Sequence, residues 1–316
     1  MLFSGLSCST SAKEARPNVG GSNDTESIEL IRDNHFSRGF TIMGPVHPRI
    51  NPSAKKIAAA VKLTDQQPVW KLAQWHSRFS LHTAPQQHIK NGVIKIENDA
   101  RSVTIAPLDP ELGDIILAVD SRPEYDMVLR KQGQPWPHLL TAQSIKSPRI
   151  SQLKQLKLHI EAKLLHNQTF QPQGYDSKKH CAQMPYVLTI GNVNPESKGR
   201  GDFLWFLVPV YDDRHRFPIP HIAQDTADPS AKLIFNLGAS AYTDHSLHDE
   251  DWVTIDVDIL PMVLEALKTA WEKGYLKESK NIADYGITSM NFGWEVTGLN
   301  KAAIQIRNLS LKAKAL

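Results

Sequence analysis

Near the end of the chain the stretch Asn291 to Gly298, NFGWEVTG, sets one carboxylate, Glu295, among aromatic and small residues. If the segment is a strand, Phe292, Trp294 and Val296 share one face, while Gly293, Glu295 and Thr297 share the other. That places a lone acid on the second face. Proton donation to a glycosidic oxygen is one task for such a group. It normally asks for a second carboxyl, about 5–5.5 Å away for retention or about 6.5–9.5 Å for inversion. Asp202, Asp212 and Asp213, from the dense cluster GDFLWFLVPVYDDRHRFPIPH, are the candidate partners. The alternative for Glu295 is an ion pair with Arg214 or Arg307.

The remaining chemistry-bearing residues suit sugars. A pyranose is held by stacking its C–H face on an aromatic ring and by pairing its hydroxyls with fork-like polar groups, since a buried polar group left unpaired is costly. Seven tryptophans are present, at 70, 75, 136, 205, 252, 271 and 294, most of them expected to fill the core and two or three to face a groove. Trp136, stiffened between Pro135 and Pro137, and Trp205 are the candidate platforms. His138, Gln183, Asn192, Tyr211 and Arg214 are the candidate polar contacts. Thirteen histidines are scattered without a repeated ligand spacing, so no cofactor is expected. A calcium ion on Asp244, Asp249, Glu250 or Asp251 is the only metal that the pattern allows. Glycine-rich phosphate loops, a Gly-x-Ser-x-Gly elbow and paired CxxC motifs are all absent.

Those residues need a frame of suitable size, and 316 residues with 41% hydrophobic and 22% charged content allow one large globular domain or two ordinary ones. A net charge of +3 gives no basic footprint for nucleic acid, and no apolar run is long enough to span a bilayer. Two cysteines, Cys8 and Cys181, rule out a disulfide framework. Residues 1–30 read as a flexible leader, and 31–316 as the domain. The start, MLFSGLSCSTS, lacks a complete export signal but could be the remnant of one, with Cys8 as a lipid-attachment point. Secretion, the periplasm or a lipid anchor is therefore expected over the cytoplasm.

Period-two patterning dominates the domain. LKLHIEAKL, residues 156–164, alternates strictly and reads as a half-buried strand in spite of its helical propensity. RSVTIAP, PYVLTIGN, DFLWFLVPVYD, KLIFNLG, YGITSMNFGWEVTG and KAAIQIRNLSLKA read as further strands, as does the region around PVWKLAQWHSRFSL. GDIILAVD and EYDMVLRK read as a hairpin broken at Ser121 to Pro123. DILPMVLEALKTAWEKG alone has a helical period, with Asp256 or Asp258 to cap it and Gly274 to end it. Many strands and one late helix predict an all-β, antiparallel two-sheet sandwich or jelly roll.

DFLWFLVPVYD, the late helix, and the terminal pair NFGWEVTG and AAIQIRNLSLKA together resemble the concanavalin A-like jelly-roll superfamily of lectins and glucanases, with an echo of glycoside hydrolase family 12 over about residues 200–313. The resemblance implies that Glu295 matches the family's acid/base and that Asp202 is nearest to its nucleophile, although the family has Glu there. It implies a glycoside hydrolase acting on a polysaccharide or oligosaccharide in a groove on the concave sheet. The alternatives are a lectin-like binding protein, or a polysaccharide lyase using Tyr211 or His138 as base with Arg78 or Gln183.

Overall fold

The computed structural model describes residues 27–47, 57–88, 92–226, 230–249 and 251–316. Seventeen strands and one α-helix are found among them. In chain order the strands are β1 (Ile28–Glu29), β2 (Phe40–Met43), β3 (Ile57–Val61), β4 (Trp70–Ala73), β5 (Gln86–His88), β6 (Ile94–Asn98), β7 (Arg101–Asp109), β8 (Gly113–Asp120) and β9 (His138–Ser144). They continue with β10 (Leu153–Thr169), β11 (Ala182–Asn192), β12 (Phe203–Asp212), β13 (His221–Gln224), β14 (Leu233–Asn236), β15 (Val253–Asp258), β16 (Tyr285–Val296) and β17 (Asn300–Ala315); helix α1 is Leu260–Glu272. One sheet runs β15-β10-β17-β8-β7-β6-β5, with β1 added beside β17, and the other runs β13-β14-β12-β11-β16-β9-β4-β2-β3. All pairings are antiparallel except β2 with β4 and β12 with β14. This is the expected β-sandwich of jelly-roll type.

The two sheets meet through the apolar half of each alternating strand. Leu156, Leu158, Ile160 and Ala162 of β10 have no exposed surface, and they share one core with the buried Tyr186, Leu188 and Ile190 of β11 and Leu204, Phe206 and Val208 of β12. Each such side chain contributes roughly 1.5–3 kcal/mol, which outweighs the helical preference of LKLHIEAKL. Helix α1 packs on β10 and β12 through Val263, Ala266, Leu267 and Ala270. Asp258 accepts from the Leu260 N–H at 3.1 Å, and Gly274 follows the helix with φ +79°.

Two expectations are corrected. EYDMVLRK forms no strand: Pro123–Tyr125 is a single 3-10 turn, and Asp126 and Met127 both take positive φ, which ends any extended run. Its inward side chains do something else. The Tyr125 hydroxyl donates to the Val296 carbonyl at 2.7 Å, and Glu124 is buried. At the N-terminus, Ile28 and Glu29 lie within the expected leader but pair with Ala313 and Lys312 of β17; residues 1–26, with Cys8, lie outside the described residues. No helix among the described residues is long and apolar enough to cross a membrane.

Candidate functional site

Trp294 decides which way Glu295 points. Its indole has no exposed surface and donates to the Leu117 carbonyl of β8, across the sandwich, at 2.9 Å. The next residue must then face outward, since a one-residue slip would exchange the two faces. Gly293 makes the same strand possible from the other side. Its φ is +144°, and a Cβ there would sit 2.1 Å from the Leu139 carbonyl oxygen of β9.

Register then assembles a row across four strands on the outer face of the nine-stranded sheet. Asp212 of β12 lies opposite Gln183 of β11, Gln183 opposite Glu295 of β16, and Glu295 opposite His138 of β9. Asp212 joins the row because of a bulge. Tyr211 pairs with Met184, but Pro209 pairs with Pro185, so Val210 is an extra residue and the side-chain alternation shifts by one. Without it Asp212 would face inward with Leu204 and Phe206.

Glu295 is largely desolvated, its side chain 20% exposed, and burial pushes its carboxyl above the usual glutamate range. Three nearby groups modify that effect. The Gln183 amide donates to Oε2 at 3.2 Å and favours the charged form, and the Trp136 indole does so more weakly. The Trp136 N–H is close enough to be felt but does not reach hydrogen-bond geometry, so Nε1 is buried with no partner. Asp225 adds a smaller push upward as a like charge. On the other flank His138 Nε2 lies 3.9 Å from Oε1, and burial depresses this imidazole to about 3, so it is neutral near pH 7 and forms no ion pair. Around His138 stand Trp75, Trp136 and His76, with ring centroids 5.5, 5.6 and 5.8 Å away, and His47 packs on Trp75 at 4.2 Å.

A buried network behind this row holds the aromatic wall. Arg101 of β7 donates to the His138 carbonyl at 2.9 Å and pairs with Glu124. Glu124 also accepts from the Ser77 hydroxyl at 2.6 Å and the Arg78 N–H at 2.7 Å, which anchors the loop that carries Trp75 and His76.

Of the residues singled out in the sequence, Glu295, Gln183, His138, Trp136, Asp212 and Arg214 are brought together. Asp202 and Asn192 are not. The Asp202 carbonyl bonds the Asn192 N–H at 2.8 Å, and from Gln183 to Asn192 the strand advances about 30 Å at about 3.3 Å per residue. Asp202 instead binds the Lys232 ammonium at 2.6 Å, so the Asp202–Glu295 pairing implied by the resemblance is not made. Asn192 lines an open pocket of about 300 Å³ at that end, with Arg200 and Phe203. Trp205 lies on the outer face there, its indole donating to Asp225 at 3.2 Å.

Asp212 is clamped. Its Oδ1 accepts from the Arg214 backbone N–H and Nε at 3.0 and 2.8 Å, and its Oδ2 from Nη2 at 2.5 Å. Tyr211 turns between the sheets, its ring edge-on to Trp294 at 5.9 Å and its hydroxyl accepting from Asn167 at 3.0 Å. It is therefore absent from the outer face. Asp213 is held by Asn300 at 3.0 Å, and Arg78 pairs with Asp126 on an exposed loop. Arg307 pairs with Glu161, so neither it nor Arg214 is the ion-pair partner of Glu295.

Among the acids considered for calcium, Asp249 pairs with Arg216 and Asp251 with Lys163, and Glu250 lies outside the described residues. No group of three or more histidine, cysteine or acidic side chains among the described residues could hold a metal. Cys181 is an unpaired, buried thiol that burial pushes up to about 11. Sequence reasoning missed Asp225, which no local pattern marks, and the wall formed by Trp75, His76 and His47, for which WHSRFSLHT was the available signal.

No protein-family model matches the chain, and no curated protein does. Solved structures with similar backbones include a family 12 xyloglucanase from Bacillus licheniformis, at TM-score 0.40 and 10% identity over 73% of this chain and 97% of that one. Endoglucanase cel12A from Rhodothermus marinus follows at TM-score 0.38 and 9% identity, over 74% and 97%. The xyloglucanase domain of NopAA, a type three effector from Sinorhizobium fredii solved with cellobiose, gives 0.34 and 12%, over 72% and 100%. The likeness is one of fold alone. It is loose, and the chemistry of this site rests on the row at Glu295.

Proposed function

We propose that the protein acts on a polysaccharide or oligosaccharide laid across the outer face of the nine-stranded sheet, with Glu295 as general acid. The observation that carries this reading is the Glu295 carboxyl itself: desolvated, raised in pKa, solvent-facing, and set between an amide donor and an aromatic wall. A carboxyl whose pKa burial raises is better suited than an exposed glutamate to give its proton to a leaving glycosidic oxygen. Trp75 and Trp136 supply stacking faces, and the partnerless Trp136 N–H is a donor for a sugar hydroxyl. Asp212 is committed to Arg214, and Asp225, which accepts from the Trp205 indole, adds only a small like-charge push to Glu295. Export of the protein would bring it to such a substrate.

Gln183 favours a second reading. It occupies the position directly beside Glu295, where a retaining pair would need a carboxylate, and a site with one acid suits a glycan-binding protein. The parent and its Glu295→Gln variant, incubated with soluble polysaccharides, separate the two. New reducing ends from the parent alone, with binding kept in the variant, support the hydrolase; equal binding with no cutting by either leaves the binding protein.

A further inference from the structure

The Arg214 guanidinium has no hydrogen-bond acceptor, and this dictates how Gln183 must sit. Nη2 of Arg214 donates to Gln183 Oε1 at 3.4 Å, so only the carbonyl end of that amide can face it. The NH2 end is then turned to Glu295 and donates to Oε2 at 3.2 Å. Asp212, gripping Nε and Nη2 with both oxygens, fixes the plane of the guanidinium. All three side chains belong to one cross-strand row or the turn that follows it.

We propose that Asp212 and Arg214 are a positioning pair which sets the Gln183 amide and, through it, decides which oxygen of Glu295 carries the proton. With Oε2 engaged as an acceptor, the proton resides on Oε1, the oxygen on the side of His138 and the tryptophans. The same relay gives Gln183 a task that a sugar contact would not. This deepens the reading of Glu295 as an acid and rests on it. The ionisable groups facing Glu295 are His138 from β9 with His76 and His47 behind it, Asp225 beyond β13, and the Arg214–Asp212 pair through Gln183.

The test is the titration of Glu295 followed by infrared difference spectroscopy of its carboxyl band, with Glu295→Gln used to assign the band. Removing a donor to the charged form raises a carboxyl pKa. Arg214→Met and Gln183→Leu should therefore each shift the titration upward, the double variant should match Gln183→Leu alone, and Arg214→Lys should recover part of the parent value. The alkaline limb of any kcat/KM profile should move with it while KM holds. If Gln183→Leu moves the titration and Arg214→Met does not, or if their shifts add, the relay is overturned. A parent that cuts no polysaccharide but shows the coupled titration removes the hydrolase and keeps the positioning pair.

Discussion

Truncating Glu124 to alanine should be the most damaging single change behind the site. Glu124 and Arg101 have side chains 2% and 1% exposed, and burial pushes the Arg101 guanidinium below its usual value while the charge of Glu124 opposes that. Removing one partner of such a pair costs about 3–5 kcal/mol, because the other charge remains in the core. The Ser77 hydroxyl and Arg78 N–H lose their acceptor in the same step, so the upper half of that range is expected. Against a total stability of about 5–15 kcal/mol this is a large fraction. Urea unfolding followed by tryptophan fluorescence reads it directly, and the thermal midpoint should fall by roughly 10 °C at about 2 °C per kcal/mol. Replacing both partners, as Arg101→Met with Glu124→Leu, should recover part of the loss, since an apolar pair carries no desolvation penalty while the Ser77 and Arg78 donors and the His138 carbonyl stay without their partners. A Glu124→Ala variant within about 1 kcal/mol of the parent, or a double variant as unstable as the single, would refute the assignment.

Other outcomes follow from single residues. Gly293→Ala should cost about 3 kcal/mol from overpacking and positive-φ strain together, measurable as a lower urea midpoint; a change below about 0.5 kcal/mol would contradict the close approach to Leu139. His138 is held neutral, with its pKa lowered to about 3, so its contribution is present above about pH 6.5 and is lost as pH falls toward 3. His138→Gln should remove about 2 kcal/mol of the parent's stability loss between about pH 6.5 and pH 5, and identical acid unfolding curves would count against it. Glu295 has the opposite sign. Its raised pKa contributes stability below the unfolded value of 4.5 that is lost as pH rises through the folded value. Glu295→Gln should match the parent near pH 4 and exceed it at pH 8 in thermal midpoint; the reverse order would mean that the carboxyl is not desolvated.

The class of fold and the facing of many side chains were legible because period-two patterning is local. LKLHIEAKL, DFLWFLVPVYD and NFGWEVTG each buried the face that alternation assigns, and the helix ended at Glu272, just before Gly274. Short strands such as β2, β5 and β6 carry too few residues to show a period. EYDMVLRK misled for a related reason: apolar content without strict alternation does not distinguish a strand from a turn that points Glu124 and Tyr125 inward.

The sequence by itself determined that Glu295 would leave the core, because Trp294 and Phe292 on the alternate positions carry the larger burial energy. Tertiary structure alone decided the company that Glu295 keeps. The extra residue at Val210 carried Asp212 to the outer face, and the pairing register set Gln183 and His138 beside Glu295 while leaving Asp202 about 30 Å along the sheet. Another register irregularity between His159 and Glu161, opposite Asn308 with φ +55°, lets both Ile306 and Leu309 of β17 face inward. Alternation along a strand is a local consequence of backbone geometry, whereas bulges and register are settled by how whole sheets pack, and it is these that make or break a pair of carboxylates.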